Sequence, residues 1–244
     1  MQSRLAFANL CLVFMVWMAT PALAQDIAID LGSGALSDRA IQLFILVTVL
    51  SIAPGLAIMI TCFPFIVTVF AILRQALGLQ QSPPNMLLVS LALFLTYFIM
   101  EPVFTDAWHS GIAPMLEGDT ETQESLLRAI MPFRTFMLGR VDPDTFARLA
   151  DLRPITEGAP LRDDAPLSLL IPSFLLSELS RAFQVGFVIF LPFLIIDLVV
   201  AAVLMSMGMM MVPPAIVALP FKLAFFVVAD GWALLSESLV RGYF

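Results

Sequence analysis

The chain has 244 residues, 60% of them hydrophobic and 13% charged, with a mean hydropathy of +0.98 and a formal net charge of −7. That balance excludes an ordinary soluble domain and points to an all-α protein that is built into a membrane or assembles at one. An acidic surplus with a single lysine, Lys222, excludes nucleic acid as a partner and leaves no polybasic surface for lipid headgroups.

Residues 1–24 have Arg4 near the start, an apolar run from Leu5 to Met18, and Ala22-Leu23-Ala24 before Gln25. This is the plan of a secretory signal cleaved between Ala24 and Gln25, with Ala22 and Ala24 at the positions a signal peptidase reads. An uncleaved first helix is the competing reading. Cleavage would start the mature chain outside the cytoplasm and leave one domain over 25–244.

Between Arg39 and Arg74 there is no charge, and the uncharged residues Ala40 to Leu73 would make about 50 Å of helix. That exceeds one crossing of a ~30 Å hydrocarbon layer. Pro54-Gly55 and Pro64 are therefore expected to divide the run into two or three kinked pieces. Cys62 reads as a small buried hydrophobe, because Cys11 falls in the signal and leaves it without a partner. The stretch Gln80-Gln81-Ser82-Pro83-Pro84-Asn85 is a polar turn, and Met86 to Met100 is a second apolar helix ending at Glu101-Pro102. Residues 40–100 thus read as a first helical hairpin.

Residues 101–166 form a polar interval. From Glu101 to Asp164 it carries twelve acids and six arginines, so it supplies −6 of the net −7. Two crossings after an outside amino end would place it outside as well. Its arginines do not argue against that, since intervals of this length translocate with little regard to charge. Two weakly amphipathic helices are expected, over 121–138 and 142–150, the second capped by Asp142.

Residues 167–229 read as a second hairpin. Leu167 to Leu204 is an apolar segment carrying Glu178, Arg181 and Asp197; Val212 to Ala229 is another, carrying Lys222. Between them Met205, Met207, Met209, Met210 and Met211 surround Gly208, just before Pro213 and Pro214. A glycine followed by two prolines ends a helix, so the tip is a turn. A turn that simply met water would carry polar residues, and this one is uncharged and rich in sulfur. Packing is the ordinary use of such methionines. Several copies brought around an axis would instead form a deformable apolar plug that excludes ions.

Charges inside apolar helices cost at least ~2.5 kcal/mol and tend to be paired or functional. Asp197 and Lys222 lie at similar distances from the tip on antiparallel helices and are expected to pair, within or between chains. Glu178 and Arg181 share a helix face, either as a local pair or as a solvated end. Signs of catalysis are sparse. His109 is the only histidine, and HExxH, CxxC and GxSxG patterns are lacking, so no catalytic, cofactor or metal site is expected. A serine–lysine pair using Lys222, or a proton relay through Glu178, Asp197 and Lys222, is the alternative from another functional class.

The stretches LRQALG (73–78), SPPN (82–85), LALFLT (91–96), SELSRAFQVGF (177–187), FLPFLIIDLVVAAVLMSMGMMMVPP (190–214) and LPFKL (219–223) closely resemble the FliP family. This is the P subunit of the flagellar type III export gate, whose injectisome counterpart is the R subunit. The resemblance covers the chain from about Leu43 onward. It implies a non-enzymatic pore subunit of the bacterial inner membrane and flagellar basal body, with a cleaved signal and a periplasmic polar region. It further implies several copies, generally five, joined with Q and R subunits into a helical ring or cone, through which unfolded flagellar proteins pass. By motif match, Met209, Met210 and Met211 would form the gasket at its constriction. The chain departs from the family pattern at Phe63-Pro64-Phe65, where Phe-Thr-Arg is usual. It departs again at Glu178-Leu179-Ser180-Arg181, where the positive charge is moved by one position.

Overall fold

A computed structural model describes residues 35–244, apart from 80–81, 119–120, 153–157, 159 and 210. The expected signal, including Ala22, Ala24 and Gln25, lies outside the described residues. Among the described residues the regular structure is helical throughout, with three helices long and apolar enough to cross a membrane. The chain is an all-α membrane protein. It divides into two units, Met1–Ile52 and Ala53–Phe244.

Helix α1 (Ala35–Met59) contains Pro54 and runs across the unit boundary. Its described side chains are almost all exposed, with Phe44, for example, 73% accessible. The break from the next helix falls at residues 60–62 and not at a proline. There the Thr61 hydroxyl donates to the Ile58 carbonyl (2.7 Å) and accepts from the Phe63 amide (3.3 Å). Pro64 occupies the first turn of α2 (Phe63–Leu77), where its missing N–H removes no helical hydrogen bond. It starts a helix where a kink was expected.

Helix α2 is the core of the second unit. Ile66, Val69, Phe70, Leu73 and Ala76 recur three or four residues apart and are at most 1% exposed. This stripe packs mainly against α7 (Leu167–Ser206). The two backbones approach closely at Gly186, where a Cβ would stand 2.4 Å from Ile72 Cδ1. Cys62 is fully buried beside α2. At the far end Gly78, with φ +78°, closes α2 by left-handed capping hydrogen bonds to Arg74 and Gln75.

Helix α3 (Asn85–Ala107) continues through Pro102, past the expected end at Glu101-Pro102. It widens into a π turn (Trp108–Ile112) and ends in the short α4 (Ala113–Glu117). Helices α5 (Thr122–Leu138) and α6 (Pro143–Ala150) occupy the polar interval. Asp142 caps α6, its Oδ2 accepting from the Thr145 amide at 2.9 Å. Met137, Val141, Phe146, Leu170 and Phe174 bind this interval to the start of α7 through a separate apolar cluster.

Helices α8 (Pro214–Val228) and α9 (Gly231–Arg241) follow the methionine tip and meet at a 61° bend. Asp230 turns the corner in the left-handed region (φ 47°). Any side chain at Gly231 would collide with the Phe226 ring, which comes within 2.2 Å of a built Cβ.

Candidate functional site

The 40-residue α7 has a contour of about 60 Å, twice the ~30 Å of a hydrocarbon layer. Its Phe187, Val188, Ile195 and Leu198 are 60–65% exposed. Exposed apolar surface on that scale requires lipid or protein to cover it.

The helix ends in a Schellman turn: the Met209 amide reaches the Leu204 carbonyl (2.9 Å), and the Gly208 amide reaches Met205 (3.0 Å). Gly208 has φ +73° with nothing near a built Cβ, so backbone angle and not space demands glycine. Pro213 and Pro214 then begin α8. Around this turn Met205, Met207, Met209 and Met211 are 62%, 67%, 41% and 98% exposed. Met210 lies outside the described residues. The one polar side chain within the turn, Ser206, donates its hydroxyl to the Val203 carbonyl at 2.7 Å, which leaves sulfur and hydrocarbon as the outer surface.

The arms of this hairpin are tied by charge. Lys222 Nζ donates to Asp197 Oδ2 at 2.6 Å and to the Ala76 carbonyl at 3.0 Å. Lys222 is 5% exposed. The Asp197 side chain is one-third exposed, at 33%, and its Oδ1 is buried with no hydrogen-bond partner among the described residues. Ala76 lies in the last turn of α2, whose carbonyls lack helical donors and carry partial negative charge. The ammonium therefore joins α2, α7 and α8.

A second cluster centres on Glu178, which is fully buried. Its Oε1 accepts from Arg140 Nε at 2.9 Å and lies 3.7 Å from Arg181 Nη1; its Oε2 accepts from the Tyr243 hydroxyl at 2.5 Å. Arg140 also donates to the Gly242 carbonyl (2.9 Å), and its guanidinium sits 4.0 Å from the centre of the Tyr243 ring. Burial, followed by the Glu178 charge, holds the Tyr243 phenol well above its ordinary range. Sequence reasoning pointed to Arg181, and the structure brings Arg140 and Tyr243 closer. Both are remote along the chain, and the available signal was Arg140 directly after the Gly139 that ends α5. Among the described residues no group of three or more His, Cys, Asp or Glu side chains could hold a metal.

A family model matches residues 46–239, described as the FliP family. The chain belongs to the FliP family. One relative, a flagellar biosynthetic protein FliP from Caulobacter vibrioides, is 50% identical over 93% of this chain and 85% of its own. A protein of that name from Rhizobium meliloti is 42% identical over 98% and 99% of the two chains. The Bacillus subtilis relative is 43% identical over 83% and 91%. The FliP match takes in the methionine tip, Asp197, Lys222, Glu178, Arg140 and Arg181, and stops short of Tyr243.

Proposed function

We propose that this chain is a pore-forming core subunit of the flagellar protein-export gate in the bacterial inner membrane. Copies of it, together with the Q and R gate subunits, would build a ring or cone through which unfolded flagellar proteins pass. The observation that carries the reading is α7: twice as long as a bilayer is thick, apolar and largely uncovered, it ends in a turn of exposed thioethers. Lipid covers about half such a contour, and sister chains cover the rest. Assembly on an axis turns the tips inward, where flexible uncharged side chains exclude hydrated ions yet deform around a passing chain.

In this scheme the Lys222–Asp197 pair and the Glu178 cluster hold the hairpin in the shape that sister subunits require, and the polar interval faces the periplasm at the basal body. The flagellar reading is favoured over an injectisome one because the relatives above are named flagellar biosynthetic proteins. Replacing Met209, Met210 and Met211 together by Ala is expected to make cells leak small ions while export continues. Unchanged leakage would sink the plug. A proton relay through Lys222 instead requires Lys222→Met to abolish transport with the assembly intact, whereas the pore reading expects the assembly itself to be lost.

A further inference from the structure

Three donors converge on the buried carboxylate of Glu178. Each oxygen already has an occupant, Arg140 Nε on Oε1 at 2.9 Å and the Tyr243 hydroxyl on Oε2 at 2.5 Å. Arg181, one turn further along α7, is 43% exposed, and its Nη1 stops 3.7 Å from Oε1, an ion pair without a hydrogen bond. Contacts of this kind close to about 2.7–2.9 Å, so the guanidinium stands about 1 Å short of completing its bond. Glu178 is 0% exposed and offers no open flank, so Arg181 can complete that bond only by displacing an occupant. Of the two, the neutral phenol is the weaker competitor for a carboxylate.

The same phenol fastens the segment that follows α9. The Tyr243 ring stacks on Phe136 with centroids 6.1 Å apart and meets Phe65 edge-on at 5.8 Å, while Arg140 donates to the Gly242 carbonyl at 2.9 Å. The next residue, Phe244, is 78% exposed. Space for an exchange is present. A groove of about 630 Å³ between α7, α8 and α9 is lined by Arg181, Gly242 and Tyr243 at one end, so either side chain can swing into it without displacing a packed neighbour.

We infer that Glu178 is a two-position switch, its Oε2 held either by Tyr243 with the tail docked or by Arg181 with the tail released. The docked position keeps the Tyr243 ring against Phe65 and Phe136, and the released one gives the carboxylate a second cation. By linkage, an anion that takes up the Arg181 charge from outside tightens the tail, and drawing the tail away brings Arg181 inward. Every part belongs to a single chain, so the switch stands or falls separately from the pore.

Hydrogen exchange of the full-length, detergent-purified protein reads the switch at the tail, where the Gly242 and Tyr243 amides donate to the Ser238 and Val240 carbonyls. Arg181→Gln removes the competitor, and release of the tail would then leave Oε2 bare. Exchange at 242–244 should slow by about tenfold, the scale of one hydrogen bond to a charged group. Arg181→Lys keeps the charge and should bring back most of the lost exchange. Tyr243→Phe lacks the contested hydroxyl and should exchange faster than the natural chain; adding Arg181→Gln to it should leave the tail unchanged. A merely supporting ion pair requires the opposite sign, because loss of Arg181 would weaken the cluster and loosen the tail. Faster or unaltered exchange in Arg181→Gln therefore overturns the proposal, and so does a slowing that persists in the Tyr243→Phe background.

Discussion

The Lys222–Asp197 tie can be broken in a way that separates pairing from packing. In Lys222→Met the Asp197 carboxylate loses its 2.6 Å partner, and α2 loses the donor on its Ala76 carbonyl. Breaking a buried pair by removing one member costs about 3–5 kcal/mol, and because Asp197 is 33% exposed the cost here falls to about 2–3 kcal/mol. At 2–4 °C per kcal/mol for a domain of this size, that lowers the midpoint of thermal unfolding by roughly 5–10 °C. Asp197→Asn strands an ammonium that is 5% exposed and should cost at least as much. The double variant Lys222→Met with Asp197→Asn leaves no uncompensated charge, so it should recover about 2 kcal/mol of the summed single losses. Fluorescence-detected melting of the detergent-purified protein reads all four corners of the cycle. A double variant that falls by the sum of the two singles would show that the groups do not act as a pair, and the reasoning would fail.

Tyr243→Phe removes the hydroxyl that donates to buried Glu178 and should cost about 2 kcal/mol by the same melting assay, in line with a hydrogen bond to a charged group. Because the folded-state phenol titrates above its unfolded value, its contribution is complete below pH 10 and is lost as pH rises through the folded value, a slope the Phe variant should lack. Gly186→Ala drives a Cβ to 2.4 Å from Ile72 Cδ1 and should destabilise by about 1–3 kcal/mol; adding Ile72→Val, which removes that atom, should restore most of the loss in a thermal scan. Asp142 is held below its ordinary 3.8 first by the Thr145 hydroxyl and then by the Thr145 amide. Its contribution is therefore present above that pH and lost as pH falls through the lower folded value. Asp142→Asn should flatten this acid-side dependence in a pH series of melting curves.

Much of the candidate site was legible in residue types alone. The glycine and double proline fixed where the last hairpin turns, since φ +73° at Gly208 and the missing amides of Pro213 and Pro214 are properties of those residues. The distances of Asp197 and Lys222 from that turn placed them opposite each other. Pro64 was harder to read, because a proline inside an apolar run reads equally as a kink or a first turn, and Thr61 at the break decided for the turn. The Glu178 cluster was half legible: Arg181 lies on the same helix face, whereas Arg140 and Tyr243 arrive from segments 38 and 65 residues away.

By itself, then, the sequence determined an all-helical membrane protein of the FliP family, with its apolar segments, its acidic interval and its uncharged sulfur-rich tip, because composition and local backbone chemistry need no partners to act. The tertiary structure decided which charges meet. It set Lys222 on the open end of α2, closed the chain's tail over Glu178, and left Arg181 facing a groove. Those outcomes depend on the crossing of helices that are distant along the chain, and no periodicity within one segment carries that information.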